Sequence, residues 1–572
     1  TTRLVGSEMC IRDSLLNINK LMKREILLGL MAGVISFTSC DVDLLDIPQQ
    51  GVTNEEAFYK TDQDCEEAIA AVYRSWRTAF SGGHRGASQY ANGFFVKNLL
   101  ADDFNTGGSR SDQTYAQEIF ESAAMPTNGW IETYYKDLYT TIYLCNLVIE
   151  KFNSEDSVIK ARNIAEAKFY RALCYFELTT LWGNPPLVDR VLKNSEEYKV
   201  SNSTREKLWE FIETDLTEAI NSGVLTSKTS VDDKDGCTRA TLEAAKTLLG
   251  KSYLYQQKFT DAKSLFKDVI GSGKYDLEDD INIFYHTAGN GSKEYVLECT
   301  RHYDTANMYA QGGWYGILAN WAFGYGFIAG PESSSHFRFN ATSGYSYFNP
   351  TKSLYEAYVA EEGVDGYRVS SWIRTFEQVV GMNIGINSTA NRYGNEGYFR
   401  LKWLASLDDE NVSYWCGNQS CTPVIRYADV LLMMAECCIQ TNDPDADIYL
   451  NKVRTRAQLP SKSNVTMDDL KLERRLELAM EAVRFQDLIR WGDAPIVLAD
   501  KGKKLPNFLI VPKEGNDLTT AKGIYNAQYD TSVSYTENER ELAGWTPNRD
   551  ELLPYPENEI EVNPNIVQNP GY

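Results

Sequence analysis

Apolar residues recur at three- and four-residue spacing over long parts of the chain, as on one face of a helix. In residues 54–80 the apolar positions include Ile69, Val72, Tyr73 and Trp76. The same spacing predicts further helices at 130–152, 158–182, 204–221, 426–440, 444–458 and 467–491. The chain is therefore predicted to be mainly α-helical.

Residues 240–277 carry the pattern of a tetratricopeptide helix pair. Leu249-Gly250 is followed by Tyr253, and Ala262 is followed four residues later by Phe266, at the offset that this repeat requires. One such unit cannot bury its apolar face alone, so several helix pairs are expected. Weaker candidates for further pairs lie at 163–221 and 426–456.

Two long stretches lack helical periodicity. Residues 81–117 are rich in Gly, Ser and Asn and are predicted to be loop-like. Residues 285–420 are rich in Gly, Ser, Asn and aromatic residues; between Tyr303 and Phe348, 13 of 46 residues are Tyr, Trp or Phe. Long irregular segments inside a compact domain usually carry function. Residues 285–420 are therefore expected to carry function.

The remaining predicted elements are a few short strands and a tail. Strands are expected at 294–301 and 398–404. The tail, 545–572, contains five of the 17 prolines, which cannot donate to a helix or sheet ladder. The tail is therefore predicted to be extended coil that lies over the surface.

A targeting segment is predicted near the beginning of the chain. Lys23 and Arg24 form a basic start, and residues 26–37 are a mostly apolar run, shorter than the roughly 20 residues that span a bilayer. The run ends in Phe-Thr-Ser before Cys40, which resembles a bacterial lipobox, whose cysteine is lipidated. Residues 22–39 are interpreted as a lipoprotein signal peptide. The alternative is an ordinary secretory signal with an incidental cysteine.

The sequence on either side of this signal carries two further expectations. Residues 1–21 precede it and are expected to be a non-native extension, because a signal peptide works at an N-terminus. Behind Cys40, the aspartates at 41, 43 and 46 resemble the surface-export signal of Bacteroides-type lipoproteins. The mature chain is expected to be held in the outer membrane by lipid and to face the cell exterior.

Charge and cysteine content exclude several protein classes. The chain has 57 Lys and Arg against 79 Asp and Glu, a net charge of −22, which argues against nucleic-acid binding. Eleven cysteines in 572 residues are too few for a disulfide scaffold. Cys416 and Cys421 either form one bridge or remain two unpaired residues, and Cys437 and Cys438 are expected in the core.

The sequence lacks the constellations of common enzymes. It contains neither HExxH nor GxSxG, and Gly250-Lys251-Ser252 lacks the upstream glycine of a phosphate-binding loop. Residues 232–236 resemble part of a calcium loop, but the bidentate Glu of an EF-hand is missing and a solvated turn is favoured. Asp102-Asp103 is the best-placed carboxylate pair for a glycosidase, although neighbours in sequence tend to point apart. We therefore expect no enzyme activity, no cofactor and no metal, although a structural calcium stays open.

Several stretches in combination resemble the SusD/RagB family of outer-membrane lipoproteins. They are AEAKFYRALCYF at 165–176, LWGNP at 181–185, IRYADVLLMMAE at 425–436, NKVRTRA at 451–457, ERRLELAMEAVRFQDLIRWG at 473–492, LPYPE at 553–557 and QNPGY at 568–572. The resemblance covers 40–572 and implies a tetratricopeptide-like helical half plus a loop-rich, ligand-facing half, in two regions, 40–284 and 285–572. It also implies a lid on a SusC-like TonB-dependent transporter that captures nutrient, most often a glycan, without being an enzyme.

The family signatures themselves are interpreted mainly as scaffold. Arg474 with Glu477 and Glu481 with Arg484 can pair at i, i+3 on a helix. A partly buried ionic network is expected to include Arg426, Arg454 and Asp487. Ala482 stands where the family usually has Gly; because a helix accepts Ala better than Gly, no consequence is expected.

The resemblance places ligand contacts in two broad regions of the chain. Sugars present C–H faces that stack on aromatic rings and hydroxyls that bind polar side chains. The candidate ligand residues are Asp102, Asp103, Asn105 and Arg110 in the first region and Tyr303, Trp314, Trp321 and Tyr325 in the second. The alternative for each aromatic residue is core packing or contact with the transporter. Trp182, Trp209 and Trp491 are interpreted as core.

The leading hypothesis is a surface lipoprotein that binds an oligosaccharide or polysaccharide and delivers it to the transporter. A peptide-binding lid with the same fold is the second hypothesis, and a lipid-anchored helical scaffold without a small ligand is the third. The aromatic stretch suits either ligand, so the sequence alone does not separate them.

Overall fold

A computed structural model describes residues 58–82, 92–300, 327–329, 346–403 and 420–572. Outside these residues lie the extension 1–21, the signal 22–39, Cys40, Cys416 and the four predicted aromatic ligand residues Tyr303, Trp314, Trp321 and Tyr325. The described helices are α1 Asp62–Ser81, α2 Gly93–Leu100, α3 Thr114–Phe120, α4 Gly129–Lys151, α5 Val158–Trp182, α6 Arg205–Asn221, α7 Leu242–Tyr255, α8 Phe259–Gly271, α9 Lys352–Glu362, α10 Tyr367–Trp372, α11 Phe376–Gly381, α12 Tyr427–Gln440, α13 Ala446–Arg456, α14 Met467–Glu477, α15 Arg484–Trp491, α16 Ala494–Val497, α17 Ala521–Tyr525 and α18 Glu557–Val562. The predicted mainly helical class is confirmed.

All the described strand pairs are antiparallel. Most strands are short, and the two longest have nine residues each. The strands are β1 Phe104–Gly107, β2 Tyr295–Cys299, β3 Phe327–Ala329, β4 Tyr347–Pro350, β5 Ile373–Thr375, β6 Ile384–Ile386, β7 Ala390–Tyr393, β8 Tyr398–Arg400, β9 Thr422–Arg426, β10 Lys504–Pro512 and β11 Tyr529–Glu537. The pairs are β1–β4, β2–β9, β3–β6 and β5–β8, and β10 lies between β7 and β11 in a three-stranded sheet. The strands predicted at 294–301 and 398–404 are confirmed as β2 and β8.

The helical half consists of helices that pack on their neighbours in sequence, α4 on α5, α5 on α6 and α7 on α8. Gly250 of α7 lies where α7 and α8 cross, and a Cβ built there would be 2.7 Å from the ring of Phe266. The small residue thus lets two helices approach closely, as the repeat pattern requires. The predicted pairs at 163–221 and 426–456 are also present, as α5 with α6 and α12 with α13.

The helix predicted at 467–491 is wrong as one continuous element. The chain forms α14 and α15, separated by a turn in which Met480 and Ala482 have φ values of 68° and 62°. Such left-handed backbone costs a residue with a Cβ about 1 kcal/mol or more, while Gly adopts it freely. The interpretation that Ala482 has no consequence is therefore wrong: the position favours Gly because its backbone is left-handed. The Ala482 N–H donates to Asn98 Oδ1 at 3.1 Å, which ties this turn to α2.

The loop predicted over 81–117 is also only partly correct. This stretch contains α2, β1 and α3, and apolar residues of α2 lie in the core: Phe94, Phe95, Val96 and Leu99 are each at most 3% exposed. Asn92 caps α2 by accepting a hydrogen bond from the Phe95 N–H at 3.1 Å. In the same way α9 lies in the region that was expected to be poor in helix.

The family signatures form buried ionic networks. Arg426 is 1% exposed and donates to Glu294, to Glu477 at 3.0 Å and to Glu481 at 2.6 Å. Arg368 links Glu477 to Glu473, which accepts from Arg454 at 3.0 Å. Arg426 and Arg454 therefore share one network, as predicted.

The predicted pairing within 474–484 is wrong. Arg474 donates to Asp429 at 2.8 Å and to Asp487 at 2.9 Å, in a second network that contains Asp487. Glu481 pairs with Arg426 and Lys402, while Arg484 pairs with Asp102. The turn at 478–483 removes the i, i+3 geometry for Glu481 and Arg484. Arg474 and Glu477 both lie within α14 but pair with other residues instead.

The tail lies over the helical half as coil, as predicted, with the added short helix α18. Trp182 Nε1 donates to the carbonyl of Pro554 at 2.9 Å, and Tyr555 Oη donates to the carbonyl of Trp182 at 3.0 Å. Trp182, Trp209, Cys437 and Cys438 are buried, as expected, whereas Trp491 is half-buried at the end of α15. Among the described helices none is both long and apolar enough to span a bilayer.

Candidate functional site

Strands β1 and β4 join the first predicted ligand region to the end of the aromatic stretch. Their register pairs Phe104 with Pro350 and Gly107 with Tyr347. Asn349 Nδ2 reinforces the junction by donating to the carbonyls of Ser346 at 2.7 Å and Gly394 at 3.0 Å. Residues 240 or more positions apart thus pair in one two-stranded sheet.

The loop that follows β1 turns on two glycines. Gly107 and Gly108 have φ values of 76° and 72°, and a Cβ on Gly108 would lie 2.6 Å from the ring of Tyr347. The Tyr347 hydroxyl hydrogen-bonds the carboxylate of Asp112. The loop carrying Arg110 is therefore held against β4 by ring packing and by this hydrogen bond.

Asp102 and Asp103 are held by arginines of the C-terminal signatures. Arg484 donates to both oxygens of Asp102, at 2.9 and 3.2 Å, and Arg475 Nε donates to Asp103 at 2.9 Å. Burial acts to raise the pKa of Asp102, but Arg484 and Arg475 outweigh it and lower this pKa. Asp103 is 2% exposed, and this burial raises its pKa. Arg475 acts to lower the pKa, and the neighbouring charge of Asp102 acts to raise it further. Both carboxylates are therefore tied to guanidinium groups.

A cleft of about 810 Å³ opens beside β1 and is called the β1 cleft here. Its walls combine residues of five chain segments: Ala101, Asp102, Phe104, Asn105, Phe120, Thr351, Ser353, Glu396, Arg475, Arg484, Val497, Asp500, Lys501, Gly502, Lys503, Lys504, Pro506, Tyr535 and Glu537. Glu396 accepts from Asn105 Nδ2 at 3.2 Å and from the Tyr535 hydroxyl at 2.7 Å. The Tyr535 side chain is half exposed, so the cleft presents an aromatic ring beside carboxylate and amide groups.

Arg110 lies on the exposed loop beyond β1 and does not line the cleft. Its Nη2 donates to Asn538 Oδ1 at 3.1 Å, directly after β11. Of the predicted ligand residues, the structure thus brings Asp102 and Asn105 to the cleft wall, buries Asp103 beneath it and leaves Arg110 at the surface nearby. The positions of Tyr303, Trp314, Trp321 and Tyr325 are outside the described residues.

Sequence reasoning missed the residues that form the far wall of the cleft. Glu396 and Tyr535 lie in segments 139 residues apart and meet through the pairing of β10 with β7 and β11. Alternation of Tyr, Thr, Val and Tyr along 529–537 was a strand signal that could have been used. Among the described residues no group of His, Cys, Asp or Glu is arranged to hold a metal ion.

Comparison with known proteins agrees with this architecture. The model of the SusD family matches residues 281–572, and a second family, described as starch-binding associating with outer membrane, matches residues 52–254. A SusD-like protein of Bacteroides ovatus is 24% identical over 594 aligned residues, covering 96% of this chain and 98% of its own length.

Solved structures share the fold over most of their length. A laminarin-binding SusD-like protein is 27% identical, with a TM-score of 0.70, and the match covers 90% of this chain and all of that one. The surface glycan-binding protein A of Bacteroides thetaiotaomicron, solved with laminarihexaose, is 23% identical, with a TM-score of 0.67 and coverage of 89% and 100%. With a family match over half of its residues, this chain belongs to the SusD family.

Proposed function

We propose that this protein captures an oligosaccharide or polysaccharide at the outer membrane and delivers it to a SusC-like TonB-dependent transporter. The observation that carries the proposal is the likeness, over 90% of the chain at 27% identity, to a protein that binds laminarin. The family that matches the N-terminal region is described by starch binding, which is also polysaccharide recognition.

The chemistry of the β1 cleft supports a sugar ligand. Tyr535 offers a half-exposed ring on which a sugar face can stack, and Asn105 and Glu396 offer groups that hydrogen-bond hydroxyls. Asp102 and Arg110 extend the polar surface on either side. We propose that Asp102, Asn105 and Arg110 contact the glycan, together with Tyr303, Trp314, Trp321 and Tyr325, while Asp103 supports Arg475 from below.

The proposed role is binding without chemistry on the glycan. A glycosidase needs one carboxyl group free to give a proton and another free to attack or to activate water. Asp102 is paired with Arg484 at 2.9 Å and Asp103 with Arg475 at 2.8 Å, so both are committed to ion pairs. This arrangement favours a binding protein over a hydrolase.

Membrane attachment is proposed to depend on Cys40. Lipidation there would hold the mature chain in the outer membrane, and the acidic residues behind it would direct the protein to the cell exterior. The halves 40–284 and 285–572 would then carry the helical repeats and most of the ligand-facing loops. Replacing Cys40 by Ala is expected to release the protein from the outer-membrane fraction, and retention there would contradict lipidation at this residue.

Native gels cast with a panel of neutral and acidic polysaccharides, including laminarin, test the binding proposal. Retardation by one polysaccharide is expected, and a Trp321→Ala variant should be retarded less. Tyr198→Ala is the matched control, since Tyr198 is an exposed aromatic residue that does not line the β1 cleft. Unchanged mobility across the whole panel would contradict glycan capture and would favour a peptide ligand.

A further inference from the structure

Lys501 differs from the other basic residues of the β1 cleft. Four of the five cations that line the cleft form ion pairs. Arg475 pairs with Asp103 and Arg484 with Asp102. Lys503 pairs with Asp500 at 3.3 Å, and Lys504 pairs with Glu537 at 3.4 Å. No carboxylate of the described residues lies within 4.0 Å of the Lys501 ammonium. Lys501 is therefore the cation of the cleft whose charge is least compensated in this part of the chain.

The direct contacts of the Lys501 ammonium are with Phe120. Its Nζ donates to the backbone carbonyl of Phe120 and lies 4.6 Å from the centre of the Phe120 ring. An ammonium has three N–H groups, so this contact uses one of them. The remaining donors are available to a group that enters the cleft.

Burial also affects the charge of this side chain. Removal from water lowers the pKa of Lys501 to about 7, and the more distant carboxylates of Asp102, Asp550 and Glu121 offset this only in part. A direct anionic partner stabilises a poorly hydrated ammonium more strongly than it stabilises an ammonium that is already solvated or paired. An anion in the cleft would therefore bind Lys501 and restore its charge.

The cleft also differs in charge from the rest of the protein. Its lining contains five basic and four acidic residues, whereas the chain as a whole carries a net charge of −22. The acidic surface repels polyanions in general, so a local basic position is required where an acidic ligand is to bind. Lys501 lies in the same cleft as the exposed ring of Tyr535.

We infer that Lys501 binds the anionic substituent, carboxylate or sulfate, of an acidic sugar unit in the β1 cleft, and that the ligand class is therefore an acidic glycan. This inference rests on the proposed glycan-binding function. The sugar ring would stack on Tyr535 while its anionic group accepts hydrogen bonds from Lys501. Asn105 and Glu396 would bind hydroxyls of the same unit.

The test compares the full chain with its Lys501→Gln variant by calorimetric titration. The probes are polygalacturonate, chondroitin sulfate, laminarin and inorganic phosphate. At least one of the two acidic polysaccharides is expected to bind at pH 7, and Lys501→Gln should weaken it at least tenfold. Lys513→Gln is the matched control, because Lys513 lies at the end of β10, forms an exposed pair with Asp530 and does not line the cleft.

Each other result overturns the inference in a distinguishable way. Binding of laminarin alone, unchanged in Lys501→Gln, would contradict the acidic ligand and leave glycan capture intact. Binding of none of the three polysaccharides would contradict both. Binding of phosphate that depends on Lys501, without an acidic polysaccharide, would reduce the position to a site for a small ion.

A second measurement covers the case in which Lys501→Gln does not fold. Acetic anhydride acylates unprotonated amines, and the lowered pKa of Lys501 makes its amine a substrate for this reagent at pH 7. The acidic polysaccharide should slow this reaction at Lys501, read by mass spectrometry, and leave Lys513 unchanged. Equal acetylation of Lys501 with and without both acidic polysaccharides would contradict the inference.

Discussion

Arg484 donates from Nε and Nη2 to the two oxygens of Asp102, at 2.9 and 3.2 Å, across 382 residues of sequence. Arg475 of α14 donates from Nε to Oδ1 of the neighbouring Asp103 at 2.9 Å. One end of the β1 cleft is therefore built by contacts between the segment before β1 and the C-terminal signature helices. The arginines of these signatures therefore hold in place the aspartates at the edge of the candidate binding site.

Removing this carboxylate should destabilise the protein. In Asp102→Asn the Arg484 guanidinium, whose side chain is 14% exposed, loses its ionic partner, and we expect the free energy of unfolding to fall by about 1–3 kcal/mol. Urea unfolding followed by circular dichroism measures the change. Asp500→Asn is the control: its side chain is 95% exposed and should change stability by less than about 0.5 kcal/mol. Equal effects of the two substitutions would contradict the role of Asp102.

Stability should fall on acidification below pH 4. Burial alone would raise the pKa of Asp429, but Lys251 and Arg474 outweigh it and lower the pKa to about 2. A carboxyl group whose pKa is lower in the folded than in the unfolded chain stabilises the fold above the unfolded pKa of roughly 4. That contribution, about 2 kcal/mol at pH 7, is lost as the pH falls from 4 towards 2. Urea titrations between pH 7 and 2.5 measure it, and a constant free energy of unfolding down to pH 2.5 would be the contrary result.

The close approach of α7 and α8 should depend on Gly250. A Cβ at this position would lie 2.7 Å from the Phe266 ring, so Gly250→Ala is expected to lower the free energy of unfolding by about 1–3 kcal/mol through overpacking. Gly271, the last residue of α8, has no atom within 4 Å of its built Cβ and serves as the control. Thermal unfolding should separate Gly250→Ala from a near-neutral Gly271→Ala, and the repeat interpretation fails if both are neutral.

The turn between α14 and α15 should be improved by glycine. Ala482 has a φ of 62°, so Ala482→Gly is expected to raise the free energy of unfolding by up to about 1 kcal/mol through relief of backbone strain. Ala479→Gly, in the same turn but not among the positive-φ residues, should have no such benefit. Chemical denaturation of both variants tests this pair. A destabilised Ala482→Gly would mean that the left-handed backbone carries no strain here.

Local patterns predict the helical half because its stabilising contacts are largely local. Apolar residues three and four positions apart identify α1 and α4 to α8, and Gly250 with Phe266 identifies a helix pair from one short motif. The break at 478–483 is not visible in this way, because the segment contains neither Gly nor Pro and its apolar residues continue the pattern of the helix before it. The backbone turns there to meet Asn98 of α2, which is a tertiary contact.

Strands and the candidate site are harder to predict from the sequence, because both are formed by segments that lie far apart in the chain. Strand β10 contains Pro506 and Pro512, which argue against a strand interior, yet it pairs along its whole length with β11. Asp102 and Asn105 are found from their place in a polar segment. Tyr535, Glu396 and Lys501 reach the same cleft only through folding of distant segments.

Hydrogen–deuterium exchange of the full chain, with and without each polysaccharide of the panel, tests glycan capture at this site most directly. We expect one polysaccharide to slow amide exchange in 104–112 and 529–538, around β1 and β11, and to leave α7 and α8 unchanged. A panel in which no polysaccharide alters exchange in these two segments, or in which protection appears on α7 and α8 instead, would contradict the account.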